Sequence, residues 1–476
     1  MTPTIAELLA ALPQDEPSGS ATPADHLLQD IFSRLALRPV PVGPFQRLWT
    51  LGGLQARLAV AYAAWFARTW FHSPDQKQQQ LLETNLRSAL QTLGAMGYLR
   101  GAIMKLGQAL AMFPKIVPEE FTDVLARLHF EAPPMHYSLV REHLADELGG
   151  DPEEVFAWFE PEAFAAASLG QVHRASLPSG ERVAVKVQYP GIARTIRADI
   201  SNLRRLLFPL RLSADWDSLN AQFGEVQGVL ESETDYEQEA ASLREARAAF
   251  REDDGIIVPR VYDQYSTRRV LTMEYLEGEH IGQFLAGNPS QQARNLFGER
   301  ILRASARLYL SRRMLYSDFN PGNLLFQEDG TLGWIDFGGM RRFNDAEWAL
   351  LRQAHEAMCS TDRSQVLVYI QRSLMFSDEE MQSRPDIVAL VEDWANFYWT
   401  PLRTEGPFQF GSPEFITRSI ELFKRAAEVR VIRQQPVNIF LHRGNLELGA
   451  LLNRLRAVVN CRQIYDEELP ASGWVE

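Results

Sequence analysis

Hydrophobic positions along the chain change their spacing in three places. From about residue 46 to residue 148 they recur with helical periodicity among Ala, Leu, Gln and Arg, and strand signals are few. Between residues 164 and 187 the spacing shortens to alternation. Gln171-Val172-His173-Arg174-Ala175 and Arg182-Val183-Ala184-Val185-Lys186-Val187 flank Pro178-Ser179-Gly180, a hairpin signature. Residues 192–212 and 218–250 then read as two helices, followed by strands at 256–258 and 269–273. Beyond Gly278 the pattern is helical to the end. It is interrupted around 318–338, where two short apolar runs, Leu324-Leu325-Phe326 and Leu332-Gly333-Trp334-Ile335, lie between polar turns.

This order predicts an α+β fold with a small β-rich lobe followed by a larger helical one. The expected organisation is a mostly disordered segment over 1–45, a helical extension over 46–160, a β-rich lobe over 161–277 and a helical lobe over 278–476. Residues 13–26, rich in Pro, Gly, Ser and Asp without apolar period, read as a linker. No repeat of 20–50 residues stands out.

Composition narrows the classes. With 476 residues, 46% hydrophobic and 23% charged, the chain has room for two to three globular domains. A formal net charge of −13 speaks against general nucleic-acid binding, which needs a basic surface. Two cysteines, Cys359 and Cys461, are too few for a disulfide framework or a zinc site, and fit a reducing compartment. The first residues lack a basic stretch followed by an apolar one, so no secretion signal is expected. The longest apolar run, residues 58–67, falls short of the roughly 20 residues of a membrane span. A cytoplasmic protein is expected.

Three short stretches carry the chemistry: Val183-Ala184-Val185-Lys186, Asp318-x-x-x-x-Asn323 and Asp336-Phe337-Gly338. In this order they match the parts with which a protein kinase holds Mg-ATP. Lys186 would pair with the α- and β-phosphates. Asp318 would orient or deprotonate the acceptor, while Asn323 and Asp336 would hold Mg²⁺ with hard oxygen ligands. Taken alone, a strand-end lysine is more often a surface residue, and Asp, Asn, Pro and Gly are ordinary turn residues. Turn chemistry does not by itself set these spacings.

A carboxylate to hold Lys186 is sought in Glu233-Thr234-Asp235-Tyr236-Glu237-Gln238-Glu239. At 3.6 residues per turn Asp235 and Glu239 share a helix face that Glu233 does not, so Glu239 is the expected partner of Lys186. Such acidic runs are usually solvated faces. The register of a kinase phosphate loop falls on Ala165, Ala167, Gly170 and Val172, within Ala165-Ala166-Ala167-Ser168-Leu169-Gly170-Gln171-Val172. Two glycines of the usual pattern are alanines, whose Cβ limits how closely backbone approaches phosphate. Residues 270–278 run from an apolar strand into a polar turn and suit an interlobe hinge, with Glu274 and Leu276 offering backbone groups to adenine.

With these residues in hand, the sequence resembles the AarF/UbiB family of atypical kinase-like proteins, linked with ubiquinone biosynthesis. Lys105-Leu106-Gly107-Gln108 looks like the family's K-x-G-Q motif, Glu233-Thr234-Asp235 like its E-x-D motif, and the alanine stretch from Ala165 like its alanine-rich loop. The likeness covers roughly residues 46–345. It implies a two-lobed kinase-like fold with a helical N-terminal extension that covers the place where a protein substrate would lie, with Lys105 near Glu233. It further implies ATP or ADP with Mg²⁺ as cofactors and a lipid or quinone-precursor substrate in place of a peptide. Lys105, Gln108, Glu233 and Asp235 are its family-specific positions. Many members carry His before the catalytic Asp and again before Pro-Gly-Asn; here Tyr316 and Asn320 stand there.

Three functions follow from these residues. The first is an atypical kinase or ATPase; the second is a nucleotide-binding pseudokinase scaffold organising a lipid-biosynthetic complex. A peptide-directed kinase is disfavoured by the alanine loop. Peripheral membrane contact is a separate expectation. Phe45, Trp49, Trp65, Phe66, Trp70 and Phe71 suit either an interfacial helix or, as burial habits favour, a packed core.

Overall fold

The structure, a computed structural model, describes residues 135–469 except 168, 195, 197–223, 225–226, 229–230, 317, 361, 416, 419–420, 423–424 and 426–434. The expected disordered segment, the linker, the K-x-G-Q motif with Lys105 and Gln108, and the aromatic stretch 45–71 lie outside these residues. So does Ser168.

The chain divides into two compact units. One takes in Met1–His136, Ala165–Gln171 and Tyr189–Leu207. Its described part holds the short strand β2 (Ala165–Ala167) and a turn in which the Leu169 carbonyl accepts from the Tyr189 amide at 3.0 Å. The other unit takes in Tyr137–Phe164, Val172–Gln188 and Phe208–Glu476, and holds all of the remaining architecture described below.

In that unit the β-rich part is a sheet in which β1 (Trp158–Phe159), β3 (Gly170–Ser176, of which this unit holds the residues from Val172 on), β4 (Arg182–Gln188) and β6 (Val270–Glu274) are neighbours in that order. The β3–β4 hairpin turns at Gly180, whose φ of +97° favours glycine. Strand β4 is buried on both faces: Val183, Val185 and Val187 are fully enclosed, and Lys186 on the opposite face is only 7% exposed. The β-branched residues suit such a central strand. Strands β4 and β6 run antiparallel, with Lys186 opposite Leu271.

Helix α1 (Tyr137–Leu148) precedes the sheet in sequence; helix α2 (Tyr236–Arg247) packs near it, and begins later than the sequence pattern suggests. Continuous helix was expected over 218–250. The chain instead leaves helical geometry at 233–235, and Asp235 sits at the N-cap with extended backbone (φ −122°, ψ 93°), its side chain accepting from the Glu237 amide at 3.1 Å. An Asp that can satisfy an orphan helix-start amide starts a new helix more readily than it continues an old one. The shared helix face expected of Asp235 and Glu239 is thereby replaced by a cap and a residue one turn inside.

The helical part is built on α3 (Gln291–Arg312), capped by Ser290 and ended by Arg313 in the left-handed region at φ 50°. The helix is about 33 Å long at 1.5 Å per residue and buries Phe297, Ile301, Leu302, Leu308 and Leu310. Short ladders follow. Strand β7 (Met314–Tyr316) pairs antiparallel with β10 (Met340–Arg342), placing Tyr316 opposite Met340. The hairpin of β8 (Leu324–Phe326) and β9 (Leu332–Trp334) puts Leu324 opposite Trp334, and β5 (Ile256–Ile257) joins β9 in parallel.

Further helices are α4 (Asp345–Cys359), α5 (Arg363–Leu374), α6 (Pro385–Tyr398), α7 (Pro436–Leu455) and α8 (Cys461–Glu468). A two-stranded ribbon, β11 (Phe408–Gln409) with β12 (Val458–Val459), interrupts what was expected to be helix throughout. One core cluster runs from Ala184 and Leu271 of the sheet through Tyr236 and Leu243 to Trp334, Phe337, Leu452 and Ile464.

Candidate active site

Two ladders converge on one place. Because β7 pairs with β10, the residues just after β7 meet those just before β10, and Asp318 comes against Gly339. A Cβ on Gly339 would fall 2.7 Å from the Cβ of Asp318, so this position has room only for glycine. Because β8 pairs with β9, Asn323 before the one lies beside Asp336 after the other, and the Ile335 amide donates to the Asn323 carbonyl at 3.0 Å. Sequence spacing hinted at this convergence; the ladders produce it.

Lys186 reaches the same place from β4. Its Nζ donates to Glu239 Oε1 and Oε2 at 2.8 and 3.0 Å, and to Asp336 Oδ2 at 3.0 Å. The Tyr236 ring lies beneath it, 5.2 Å from Nζ to centroid, where the face of an aromatic ring attracts a cation. Burial on its own would push the ammonium down; Asp336, Glu239 and Tyr236 overcome it and hold Lys186 well above its ordinary value. Burial pushes Glu239 up to about 7 against the pull of Lys186. One ammonium faces two carboxyl groups, a setting that favours an added cation.

Asp336 has its other oxygen, Oδ1, on the Gly338 amide at 2.9 Å. Asn323 donates from Nδ2 to the Tyr316 hydroxyl at 3.0 Å and to the Asp318 carbonyl at 3.1 Å. Its amide hydrogens are thus committed, and the carbonyl oxygen is the end left to meet a cation. Burial, helped by Asp318 and Asp336, pushes the Tyr316 phenol well above its ordinary value, so it stays neutral. Tyr316 therefore has a part to play, where the sequence marked it only as a departure from the family pattern.

Among the described residues no three His, Cys, Asp or Glu side chains gather as a metal cage. An Asp–Asn oxygen pair still fits magnesium, which is commonly held by one or two protein oxygens with phosphates and water completing its shell. The donor set is hard oxygen, as that ion requires.

Other expected positions fall as follows. Glu274 ends β6 with its amide donating to the Arg260 carbonyl at 2.8 Å, and Leu276 follows half-buried. Val172 is half-buried on β3. Ala165, Ala166 and Ala167 form β2 and Gly170 opens β3, all in the other compact unit. Glu233 is buried, and Asp235 pairs with Arg268 at 3.1 Å besides capping α2. One contact was not anticipated: Glu447 of α7 accepts from the Phe319 amide at 2.8 Å. No motif contains it and 128 residues separate the two partners, so only the fold reveals it.

A family profile described as the ABC1 atypical kinase-like domain matches residues 127–370, about half of the chain. The chain belongs to the ABC1 atypical kinase-like family. This membership agrees with the AarF/UbiB resemblance and with the kinase-like fold. Among its relatives, rat atypical kinase COQ8B, mitochondrial, is 30% identical over 90% of this chain and 81% of its own length. Yeast atypical kinase COQ8, mitochondrial, is 31% identical over 64% of this chain; the chain spans 60% of the yeast protein, less than two thirds of it. A solved structure, the Mycobacterium tuberculosis Rv3197–erythromycin complex, superposes with a TM-score of 0.55 at 27% identity, covering 84% of this chain and 99% of that one. The family's name is that of a kinase-like domain. Among the described residues no helix is long and apolar enough to cross a membrane.

Proposed function

We propose that the protein is an atypical kinase or ATPase that binds Mg-ATP and acts on, or is regulated by, a small-molecule or lipid substrate of a quinone pathway. The observation that carries this reading is the Lys186 ammonium bound by Glu239 at 2.8 Å and Asp336 at 3.0 Å. Those three groups come from a strand, a helix and a loop separated by up to 150 residues. Lys186 would orient the α- and β-phosphates while Glu239 keeps its amine directed at them. Asp318 would accept the proton of the attacking hydroxyl or water. Asn323 and Asp336 would hold magnesium, which when bound neutralises charge on the transferring phosphates.

The quinone link rests on the COQ8 relatives and stays at the level of substrate class. Phosphate release from ATP, measured with and without phenolic quinone precursors and with anionic vesicles, tests the reading. Turnover that rises with phenol or vesicle and vanishes in Asp318→Asn supports it. Absence of turnover under every supplement, with nucleotide still bound, favours a second reading: a nucleotide-binding scaffold without catalysis. That alternative draws on the engagement of both Asp336 oxygens by protein donors, Lys186 and the Gly338 amide.

A further inference from the structure

The peptide unit joining Asp318 to Phe319 is held at both ends. Its carbonyl oxygen, on Asp318, accepts from Asn323 Nδ2 at 3.1 Å. Its amide, on Phe319, donates to Glu447 Oε2 at 2.8 Å. A peptide is planar, so fixing both polar atoms fixes the plane and with it the direction in which Asp318 leaves the backbone. The Phe319 ring adds a third anchor: it is 4% exposed and lies edge-on to Tyr316, with centroids 4.9 Å apart.

Glu447 is itself held rigidly. At the start of α7, Asn438 Nδ2 donates to Ser373 Oγ at 2.7 Å. Toward its end Leu448, Leu451, Leu452 and Leu455 enter the main core, and Asn453 accepts from the Gly411 amide at 2.7 Å. Helix α7 lies wholly beyond residue 370, where the family profile ends. A charged acceptor also makes a stronger bond to a backbone amide than a neutral one would.

We infer that Glu447 is a positioning residue for the reaction, acting through the Phe319 amide to set the direction of the Asp318 carboxylate. This rests on the kinase or ATPase reading, and it makes the C-terminal helix part of the catalytic apparatus. Asn323, on this view, aligns the same peptide from the other side and would hold magnesium through its side-chain oxygen.

The full-length chain with Glu447→Ala and Glu447→Gln tests it. Glutamine keeps an acceptor oxygen at the same reach; alanine removes it. Glu447→Ala should lower kcat for phosphate release by about 10–100-fold, the scale expected when a reacting group is misaimed by an ångström. Its KM for ATP and its melting temperature should stay near wild type, and Glu447→Gln should recover most of the loss. Hydrogen exchange of the peptide spanning 318–322 should speed up in the alanine variant alone. Unchanged kcat in Glu447→Ala, unchanged exchange at that peptide, or equal loss of kcat and stability in both variants would overturn the assignment. If the wild-type protein shows no turnover at all, the functional reading fails on that result. The exchange measurement still decides whether Glu447 holds the loop.

Discussion

At the scale of single residues, the buried charges around Lys186 dominate. Lys186 is 7% exposed and Glu239 4% exposed, so neither can be deprived of the other cheaply. Lys186→Met strands two carboxylates and should cost about 3–5 kcal/mol of stability. Adding Glu239→Gln should return part of that loss, because one of the two stranded charges is gone. Chemical denaturation of the two single variants and the double variant measures this; strictly additive losses would mean that the two side chains do not depend on each other. His355 gives a second residue-level prediction. It stacks on Tyr465, sits 3.6 Å from Cys359 Sγ, and burial, with Arg462 adding to it and Asp466 opposing it, pushes its pKa down to about 4. Below its ordinary value near 6.5 the unfolded chain takes up a proton that the folded protein refuses. The stability this neutral ring contributes is therefore complete above that pH and lost as pH falls toward 4, up to about 3 kcal/mol. Unfolding free energies at pH 7.5 and 5 should differ less in His355→Asn than in wild type; equal differences would refute the assignment.

Elements explain how such residues meet. Asp235 caps α2 and so fixes where Glu239, one turn later, emerges. Asp235→Ala should cost about 1 kcal/mol and weaken nucleotide binding, whereas Asp235→Asn, which also caps, should keep most of both. Thermal unfolding with and without nucleotide separates these outcomes. The β7–β10 ladder makes a parallel case: Gly339→Ala forces a Cβ to 2.7 Å from Asp318, and about 1–3 kcal/mol of strain should appear together with a fall in turnover. A Gly339→Ala protein as active and as stable as wild type would mean that the two strands are not held in this register. The legible part of the site is legible for the same reason. Lys186, Asp318, Asn323 and Asp336 each sit at an end of a short apolar run, and strand patterns of that kind survive in sequence. The break before Tyr236 was missed because helical spacing continues across 233–235, and only the capping bond distinguishes a new helix from an old one. Glu447 was invisible, since a lone carboxylate on an amphipathic helix looks like any solvated charge.

For the whole molecule, one core ties the sheet carrying Lys186 to the helical part carrying Asp318, Asn323 and Asp336, within a single compact unit. Shared burial of this kind lets strand, helix and loop present charged groups to one ligand without a flexible arm. Membership in the ABC1 family agrees with the kinase-like order of elements. The Tyr316 hydroxyl on Asn323 shows how a departure from the family's sequence pattern can still support the same loop. The central claim is that these groups form one Mg-nucleotide site, and thermal unfolding with ATP, with and without magnesium, tests it most directly. Wild type at ligand about 100-fold above Kd should gain about 2.7 kcal/mol, a rise of roughly 5 °C, that depends on magnesium and disappears in Asp336→Asn. An equal, magnesium-dependent rise in the Asp336→Asn protein would contradict the account.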